Sequence, residues 1–380
     1  MQITNIEPVV VHVNQRGDWL FVLVHTDAGL TGLGEASHSG NDALCIAALE
    51  AFSGQLVGQS PLAINQLVRQ MRRMDGGRIA HTALSAVEQA LWDILGQHLG
   101  APIWQLLGGA VRERVRLYAN INRHVRDRTP EGFARAATQA VAQGFTAIKL
   151  APFDELRARD HVRTGPDAAW RRGVERVRAV REAIGDGVEL AVDCHGRMEA
   201  SEARLVARAL ADCNLFWYEE PVHHHHADDL AAITQWAPMP TASAEVVFGM
   251  EGFRPFLTRR VVDVLMPDVK HDGGLLETRH IGEAARLQDL LVAPHNPSGP
   301  VASVASAHVC AVLPNFYILE YAWGEVAWRA DLLTPAEPVV DGHLLVSHAP
   351  GLGYRLNADV VAAHRVDRPS AADSSRVQPG

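Results

Sequence analysis

The chain has 380 residues, of which 47% are hydrophobic and 21% charged, and its formal net charge at pH 7 is −9. This composition is typical of a soluble enzyme with a large core, whereas the acidic excess argues against nucleic-acid binding, which normally requires a basic face. No apolar run is long enough to span a bilayer, the N-terminus lacks the features of a signal peptide, and the four cysteines show no paired spacing, so we expect a protein of the reducing cytoplasm.

The first part of the chain combines strand-like and helical patterns. Residues 1–36 alternate apolar runs with turns, which predicts a small antiparallel sheet. Residues 41–107 are helical in pattern, and the segment 81–100 carries a stripe of apolar residues at helical spacing. Strands followed by helices predict an α+β capping domain over residues 1–113.

The pattern changes near residue 114. Short β-rich runs then alternate with amphipathic helical stretches, and eight such strands favour a closed parallel barrel over an open sheet. We expect the barrel over residues 114–330, a surface insertion over residues 154–170, and a C-terminal segment over residues 331–364 that returns to the capping domain. The polar, Pro- and Ser-containing tail, residues 365–380, is predicted to be disordered.

Ionisable residues recur at the predicted C-terminal ends of the barrel strands. Five of the six gaps between successive members are 23–27 residues, close to the roughly 25–30 residues of one barrel unit. Because these strand ends converge on one mouth, the spacing predicts a single active-site pocket. The members are Lys149, Asp193, Glu219, Glu245, Asp268, His295 and Glu320.

Asp193, Glu219 and Glu245 are three carboxylates on consecutive strand ends. Crowded like charges destabilise a site unless a cation neutralises them, and oxygen donors without cysteine favour Mg²⁺, with Mn²⁺ next. The alternative is that one or two of them are ion-pair partners on the barrel rim. Glu220 is predicted to point to the opposite face of its strand from Glu219.

The remaining strand ends supply acid–base chemistry. Asp268 and His295 end neighbouring strands, where a carboxylate orients an imidazole and raises its pKa towards a useful range. Lys149 ends a strand across the barrel, and desolvation near a dication can lower the pKa of a lysine enough for it to act as a base. The alternative for Lys149 is a salt bridge to a barrel carboxylate.

Two histidine-containing segments lie outside this set. The run His223–His226 follows the fourth strand in a loop, where the imidazoles need not converge, so we do not expect a metal site there. His38 lies in a capping-domain loop whose polar content suits a hydroxylated substrate.

The ordered set of motifs resembles the enolase superfamily, in its mandelate racemase/muconate lactonising group. The resemblance implies an N-terminal α+β capping domain, a modified (β/α)7β TIM-like barrel, and Mg²⁺ held by Asp193, Glu219 and Glu245. It also implies removal of the proton alpha to a carboxylate, and a homo-oligomer, from dimer to octamer. The motifs are DAGLTGLGEA, SAVEQALWDILGQHLGAPIWQLLGG, AIKLAP, VDCHGR, YEEPV, AEVV, MPDVKHDGG, APHNPSGP and PGLG.

Two departures indicate the subgroup. Mandelate racemase-like enzymes carry Lys-x-Lys at the end of the second strand, where this chain has Lys149 followed by Ala151. The stretch DCHGR, residues 193–197, is similar to that of galactonate- and mannonate-type dehydratases, in which the histidine is an acid–base or hydroxyl-binding group. Because His195 lies two residues after Asp193, we expect the two side chains on the same face of one strand.

The resulting prediction is a Mg²⁺-dependent dehydratase of a sugar acid, an aldonate or aldarate, that forms a 2-keto-3-deoxy acid. The alternatives are an epimerase, racemase or cycloisomerase on the same site, or a non-catalytic protein that binds sugar acids. We expect neither nucleic acid nor membrane as a partner. The expected catalytic residues are Lys149, His195, Asp268, His295 and Glu320, and the expected substrate contacts are Asn120, Arg197 and His38.

Overall fold

The computed structural model describes residues 1–15, 17–38, 40–157, 168–367 and 369. Its N-terminal part is an antiparallel sheet of order β1-β2-β3, against which a group of helices packs. The elements are β1 (Ile3–Asn14), β2 (Gly17–Thr26), β3 (Thr31–Glu35), α1 (Asp42–Leu56), α2 (Ile64–Met71), α3 (Gly77–Leu99) and α4 (Ile103–Leu106). We call this part the cap.

A closed barrel of eight parallel strands follows the cap. Successive strands from β4 to β10 pair in parallel, β11 pairs with β4, and a bridge between Val292 and Phe316 closes the ring. The elements are β4 (Arg114–Asn120), α5 (Pro130–Ala142), β5 (Ala147–Leu150), α6 (Trp170–Ile184), β6 (Glu189–Asp193), α7 (Ala200–Ala209), β7 (Trp217–Glu219), α8 (Ala227–Trp236), β8 (Thr241–Ser243), α9 (Gly249–Thr258), β9 (Val264–Leu265), α10 (Leu275–Ala285), β10 (Leu291–Val292), α11 (Pro300–Val312) and β11 (Leu319–Ala322).

The chain after β11 forms short strands rather than an eighth crossover helix, so the predicted (β/α)7β architecture is confirmed. The strand β14 pairs antiparallel with β4 and extends the barrel sheet. The elements are β12 (Leu333–Thr334), β13 (Val339–Val340), β14 (His343–Leu345), β15 (Arg355–Leu356) and α12 (Ala358–His364). No helix within the described residues combines the length and apolar character needed to cross a lipid bilayer.

Two predicted irregular segments are described only in part. The ordered chain extends past the expected start of the tail, because Arg365 bridges to Val11 and the Val366 amide donates to the Val10 carbonyl at 3.0 Å. Residues 368 and 370–380 of the predicted tail lie outside the described residues, as do residues 158–167 of the predicted insertion.

Apolar side chains fill the barrel interior below its mouth. Six of them lie two residues before a predicted strand-end residue, and alternate residues of a strand face the same side. The strand-end groups therefore form a polar layer directly above an apolar floor. The floor residues are Tyr118, Ala147, Ala191, Trp217, Ala242, Val264, Met266, Ala293 and Ile318.

Buried carboxylates of the cap hold it on the barrel. Glu35 accepts the amides of Gly299 at 2.7 Å and Ala302 at 2.8 Å, at the start of α11. Glu88 in α3 accepts the amides of Leu275 at 2.7 Å and Leu276 at 3.0 Å, at the start of α10. Both sites use the free amides and the positive dipole end of a helix N-terminus. The cap is therefore fixed over the barrel mouth, because these helices begin just after the strands end there.

This docking predicts a stability cost for Glu88→Gln. The amide nitrogen of glutamine faces a backbone donor in place of a carboxylate oxygen, and an unsatisfied buried donor costs about 1–3 kcal/mol. The midpoint of urea denaturation should fall relative to the unmodified protein. The control is Glu50→Gln on the exposed face of α1, which should stay within about 0.5 kcal/mol. Equal midpoints for the two variants would contradict the proposed docking.

Candidate active site

The predicted strand-end residues form one buried polar layer at the mouth of the barrel. All seven are at most 8% exposed. Asp193 pairs in register with Glu219, and Asn120 pairs with Lys149, so the polar residues of these two strand pairs lie side by side. The structure thus brings together the residues whose regular spacing predicted a common pocket.

Lys149 lies among three carboxylates in this layer. Its Nζ is 2.8 Å from Glu219 Oε1, 3.1 Å from Glu320 Oε1 and 3.6 Å from Asp193 Oδ2. Burial alone would lower the pKa of Lys149, but the charges of Glu219 and Glu320 raise it well above its ordinary value. The salt bridge that the sequence left open as an alternative is therefore present, and Lys149 is a buried ammonium rather than a neutral base.

His295 and Asp268 form the predicted dyad. The Nδ1 atom of His295 donates to Asp268 Oδ2 at 2.7 Å, which leaves Nε2 facing the mouth, 3.3 Å from Glu245 Oε2. Burial lowers the pKa of His295 by more than Glu320 and Asp268 raise it, so the expected upward shift is wrong. Burial would raise the pKa of Asp268, but Lys270 and His295 lower it to about 2. The dyad is thus a neutral imidazole oriented by a carboxylate.

His195 reaches the same pocket by a route that differs from the prediction. The strand β6 ends at Asp193, and His195 lies beyond it in a turn with φ of 50°. The two side chains therefore do not share a strand face. The turn is closed by the His195 amide, which donates to Asp193 Oδ1 at 2.9 Å, and His195 Nε2 lies 3.0 Å from Asp193 Oδ2.

Asp154 holds the other side of the His195 ring and was missed by the sequence analysis. His195 Nδ1 donates to Asp154 Oδ1 at 2.8 Å, and Arg128 Nη2 donates to Asp154 Oδ2 at 3.0 Å. Burial alone would lower the pKa of His195, but the charges of Asp193 and Asp154 raise it well above its ordinary value. His195 is therefore an imidazolium between two carboxylates. No spacing signal identifies Asp154, because it lies in the insertion after β5.

Asn120 and Arg197 lie at the edges of the site. Asn120 Nδ2 donates to Glu320 Oε1 at 2.6 Å, so its first role is to orient that carboxylate. Arg197 bridges to Val222, and its Nε is buried 3.9 Å from Asp154 Oδ1 without a hydrogen-bond partner in the described structure. The role of both residues as substrate contacts stays a prediction.

The cap contributes His38 and Arg78 to the mouth. The His38 ring lies 5.1 Å from that of His271, and burial lowers the pKa of His38 to about 4, with Arg78 and Lys270 adding to the effect. Among the described residues, neither His38 Nε2 nor Arg78 Nε has a hydrogen-bond partner, although both atoms are buried. The sequence predicted His38 but not Arg78 or Lys270, because the cap-to-barrel contacts have no local signal.

The carboxylate cluster fits a divalent cation. Ligand atoms of Asp193, His195 and Glu245 lie within 4.8 Å of one another, and Glu245 Oε2 is buried without a hydrogen-bond partner among the described residues. Burial and the charge of Asp193 raise the pKa of Glu245 well above its ordinary value, a repulsion that a cation would relieve. Glu219 is adjacent, with its oxygens 2.8 Å from Lys149 Nζ and 2.8 Å from Trp217 Nε1.

Glu220 lies beside the cluster rather than in it. It accepts the Ser243 hydroxyl at 2.9 Å and the Ala244 amide at 3.2 Å. Burial and the charge of Asp193 raise the pKa of Glu220. Its oxygen is therefore held by Ser243 and Ala244 beside the cluster, and the raised pKa favours its neutral form.

The run His223–His226, which we call the His turn, is more compact than expected. The His226 amide donates to the His223 carbonyl at 2.8 Å, which closes a turn. This gathers His223, His224 and His225 so that ring nitrogens from the three lie within 4.8 Å of one another. The expectation that these imidazoles need not converge is therefore wrong.

Comparison with known proteins agrees with this geometry. The family model for the mandelate racemase / muconate lactonizing enzyme N-terminal domain matches residues 2–108, and the enolase C-terminal domain-like model matches residues 132–360. A D-xylonate dehydratase of Haloferax volcanii is 35% identical over 379 residues, covering 96% of this chain and 89% of the relative. A D-galactonate dehydratase of Xanthomonas oryzae pv. oryzae is 34% identical over 352 residues, covering 90% of each chain.

Solved structures share the whole architecture. The mandelate racemase/muconate lactonizing enzyme from Jannaschia sp. CCS1 superposes with a TM-score of 0.87 at 27% identity, covering 97% of this chain and 99% of that one. A member of the enolase superfamily from Salmonella Typhimurium gives a TM-score of 0.87 at 25% identity, covering 96% and 98%. The cap, the barrel and the matched sequence together identify the chain as a member of the mandelate racemase/muconate lactonizing enzyme family of the enolase superfamily.

Proposed function

We propose that the protein is a Mg²⁺-dependent dehydratase of a sugar acid, an aldonate or aldarate, and that it forms a 2-keto-3-deoxy acid. The observation that carries the proposal is the placement of two histidines, each hydrogen-bonded to a carboxylate, just after β6 and β10, which are four strands apart in a ring of eight. They therefore face each other across the mouth. The names of the D-xylonate and D-galactonate dehydratases among the relatives support this reaction class.

Asp193, Glu219 and Glu245 are the proposed ligands of Mg²⁺. All three are buried oxygen donors at the barrel mouth, and Mg²⁺ prefers such donors. When bound, Mg²⁺ would stabilise negative charge on the substrate carboxylate. The Lys149 ammonium already balances part of the charge of Glu219 and Glu320.

His295 is the proposed base. Its Nδ1–H is fixed by Asp268, so Nε2 can accept the proton alpha to the substrate carboxylate. His195 is the proposed acid. It lies opposite, between Asp193 and Asp154, and gives a proton to the 3-hydroxyl, which leaves as water. The enol that remains tautomerises to the 2-keto-3-deoxy acid. Glu320, held by Asn120, lies beside the base and is proposed to stabilise its charged form.

His38, Arg78 and Arg197 are proposed to bind the hydroxylated end of the substrate. Each has a buried nitrogen without a hydrogen-bond partner among the described residues. A buried unpaired donor costs free energy that a substrate oxygen would recover.

An epimerase or racemase is the second candidate. Two imidazoles on opposite sides of one alpha carbon could remove a proton from one face and return it to the other. The two functions differ in their products, since only dehydration yields a 2-keto acid. The cytoplasmic location and the homo-oligomeric state stay predictions from the sequence.

The first test is a substrate screen. The protein with Mg²⁺ should convert at least one acid, from a panel that includes D-xylonate and D-galactonate, into a 2-keto-3-deoxy acid detected as its semicarbazone. EDTA should abolish turnover, and added Mg²⁺ should restore it, because the crowded carboxylates need a cation. Full activity in the chelated sample would refute the metal assignment, and an isomerised acid without keto product would favour the epimerase.

The second test concerns the dyad. His295→Asn should lower kcat by roughly 10²–10⁴-fold, the usual effect of losing one proton-transfer group. Asp268→Asn should cost nearly as much, and the double variant little more, because Asp268 acts through the imidazole. Additive losses in the double variant would mean that the two residues act independently.

The third test separates the two histidines. His195→Asn should lose dehydration by roughly 10²–10⁴-fold, yet retain exchange of the alpha proton with solvent D₂O, followed by NMR. His295→Asn should lose the exchange itself. His98→Asn on an exposed part of α3 is the control and should change neither rate. Dehydration at the full rate in His195→Asn would leave that histidine without a role as acid.

A further inference from the structure

The His turn lies at the rim of the barrel, between β7 and α8. Its backbone is closed by the bond from the His226 amide to the His223 carbonyl, and the His225 amide donates to His223 Nδ1 at 3.4 Å. The ring centroids of His223, His224 and His225 lie 4.1–4.7 Å apart. Three imidazoles are thus held together on one short turn.

The spacing of the ring nitrogens suits a small cation after a modest side-chain adjustment. Their ligand atoms lie within 4.8 Å of one another. Two nitrogens bound to one Zn²⁺ at about 2.0–2.1 Å in tetrahedral geometry lie roughly 3.3 Å apart. The ring nitrogens must therefore move closer together by about 1 Å or more. Side-chain rotation can bring this about, because His225 is exposed to solvent.

An unpartnered nitrogen at the turn also points to a ligand. His224 Nδ1 is buried and has no hydrogen-bond partner within the described structure. A buried ring nitrogen in that state lacks the partner that such groups normally have. A metal ion would supply it.

The same side chains face a groove that could admit an exogenous ligand. His224 and His225 line a cavity of about 820 Å³, whose other wall includes Arg72, His81 and Phe248. Three protein ligands leave one position of a tetrahedral ion open. That position would face the groove, so water or a small anion could occupy it.

We propose that His223, His224 and His225 bind one transition-metal ion, with Zn²⁺ the best fit, at a site separate from the carboxylate cluster. Imidazole nitrogen favours zinc, cobalt, nickel and copper, whereas Mg²⁺ favours oxygen. The two sites therefore select different metals. The assignment does not depend on the dehydratase proposal.

The second site adjoins the turn that carries His195. A Cβ atom added to Gly196 would lie 2.9 Å from His223 Cα, and Arg197 bridges to Val222. The Gly196 amide also donates to the Glu220 carbonyl at 2.8 Å. An ion bound at the His turn would therefore lie next to the backbone turn that carries His195.

The test is a Co²⁺ titration of the full chain without an affinity tag, freed of metal and then saturated with Mg²⁺. Visible absorption reports the coordination of Co²⁺, and elemental analysis after dialysis gives the stoichiometry. We expect one Co²⁺ per chain with nitrogen ligation, displaced by Zn²⁺. His224→Gln and His225→Gln should weaken binding by about tenfold or more, since even the loss of a group that only supports a ligand costs 10–100-fold.

Two controls make the result decisive. His280→Gln removes an exposed histidine of α10 and should leave Co²⁺ binding unchanged. Asp193→Asn weakens the carboxylate cluster and should also leave the Co²⁺ spectrum unchanged, with folding checked by thermal denaturation. If His224→Gln and His225→Gln both bind Co²⁺ as tightly as the unmodified protein, or if only Asp193→Asn loses it, the proposal is overturned.

Discussion

Buried negative charge at the barrel mouth is the constraint on which the rest of the structure depends. Six carboxylates lie there at 4% exposure or less, and burying unpaired charges is costly. The apolar floor beneath them offers no counter-charge, so compensation must come from within the layer or from above it. Lys149 supplies positive charge within the layer, and the proposed Mg²⁺ and sugar acid would bind on its open side. The six are Asp193, Glu219, Glu220, Glu245, Asp268 and Glu320.

The cap separates this charged layer from bulk water. A charge layer exposed to bulk water would lose much of its electrostatic strength, since interactions weaken in a high dielectric. Glu35 and Glu88 fix the cap through the first turns of α11 and α10, the helices that begin beside the strand ends. These hydrogen bonds of fixed direction add to an apolar contact, because Val9, Trp19 and Leu33 of the cap belong to the same buried cluster as the barrel side chains. This attachment places His38 and Arg78 over the mouth, where nitrogens that have no hydrogen-bond partner among the described residues would face the proposed substrate.

The sequence predicted the strand ends because a repeating unit imposes a repeating spacing, and the barrel converts equal spacing into equal height. The same reasoning could not find Asp154, which lies in an insertion, or Arg78, whose contacts cross from one domain to the other. It placed His195 in the pocket for the wrong reason, because β6 stops at Asp193 and a left-handed turn carries the ring. It also expected a raised pKa for His295, since burial, which dominates, cannot be read from neighbouring residue types.

The contrast between the two histidines follows from how many carboxylates each contacts closely. His195 has one carboxylate within 3.0 Å of each ring nitrogen, which favours the doubly protonated ring. His295 has one such contact, at Nδ1, and its Nε2 is 3.3 Å from the nearest carboxylate oxygen. One ring is therefore suited to give a proton and the other to take one. A two-base racemase also starts with one protonated and one neutral group, but its reverse reaction needs the two roles exchanged. The carboxylates on both ring nitrogens of His195 hold the proton there and oppose that exchange, which favours dehydration.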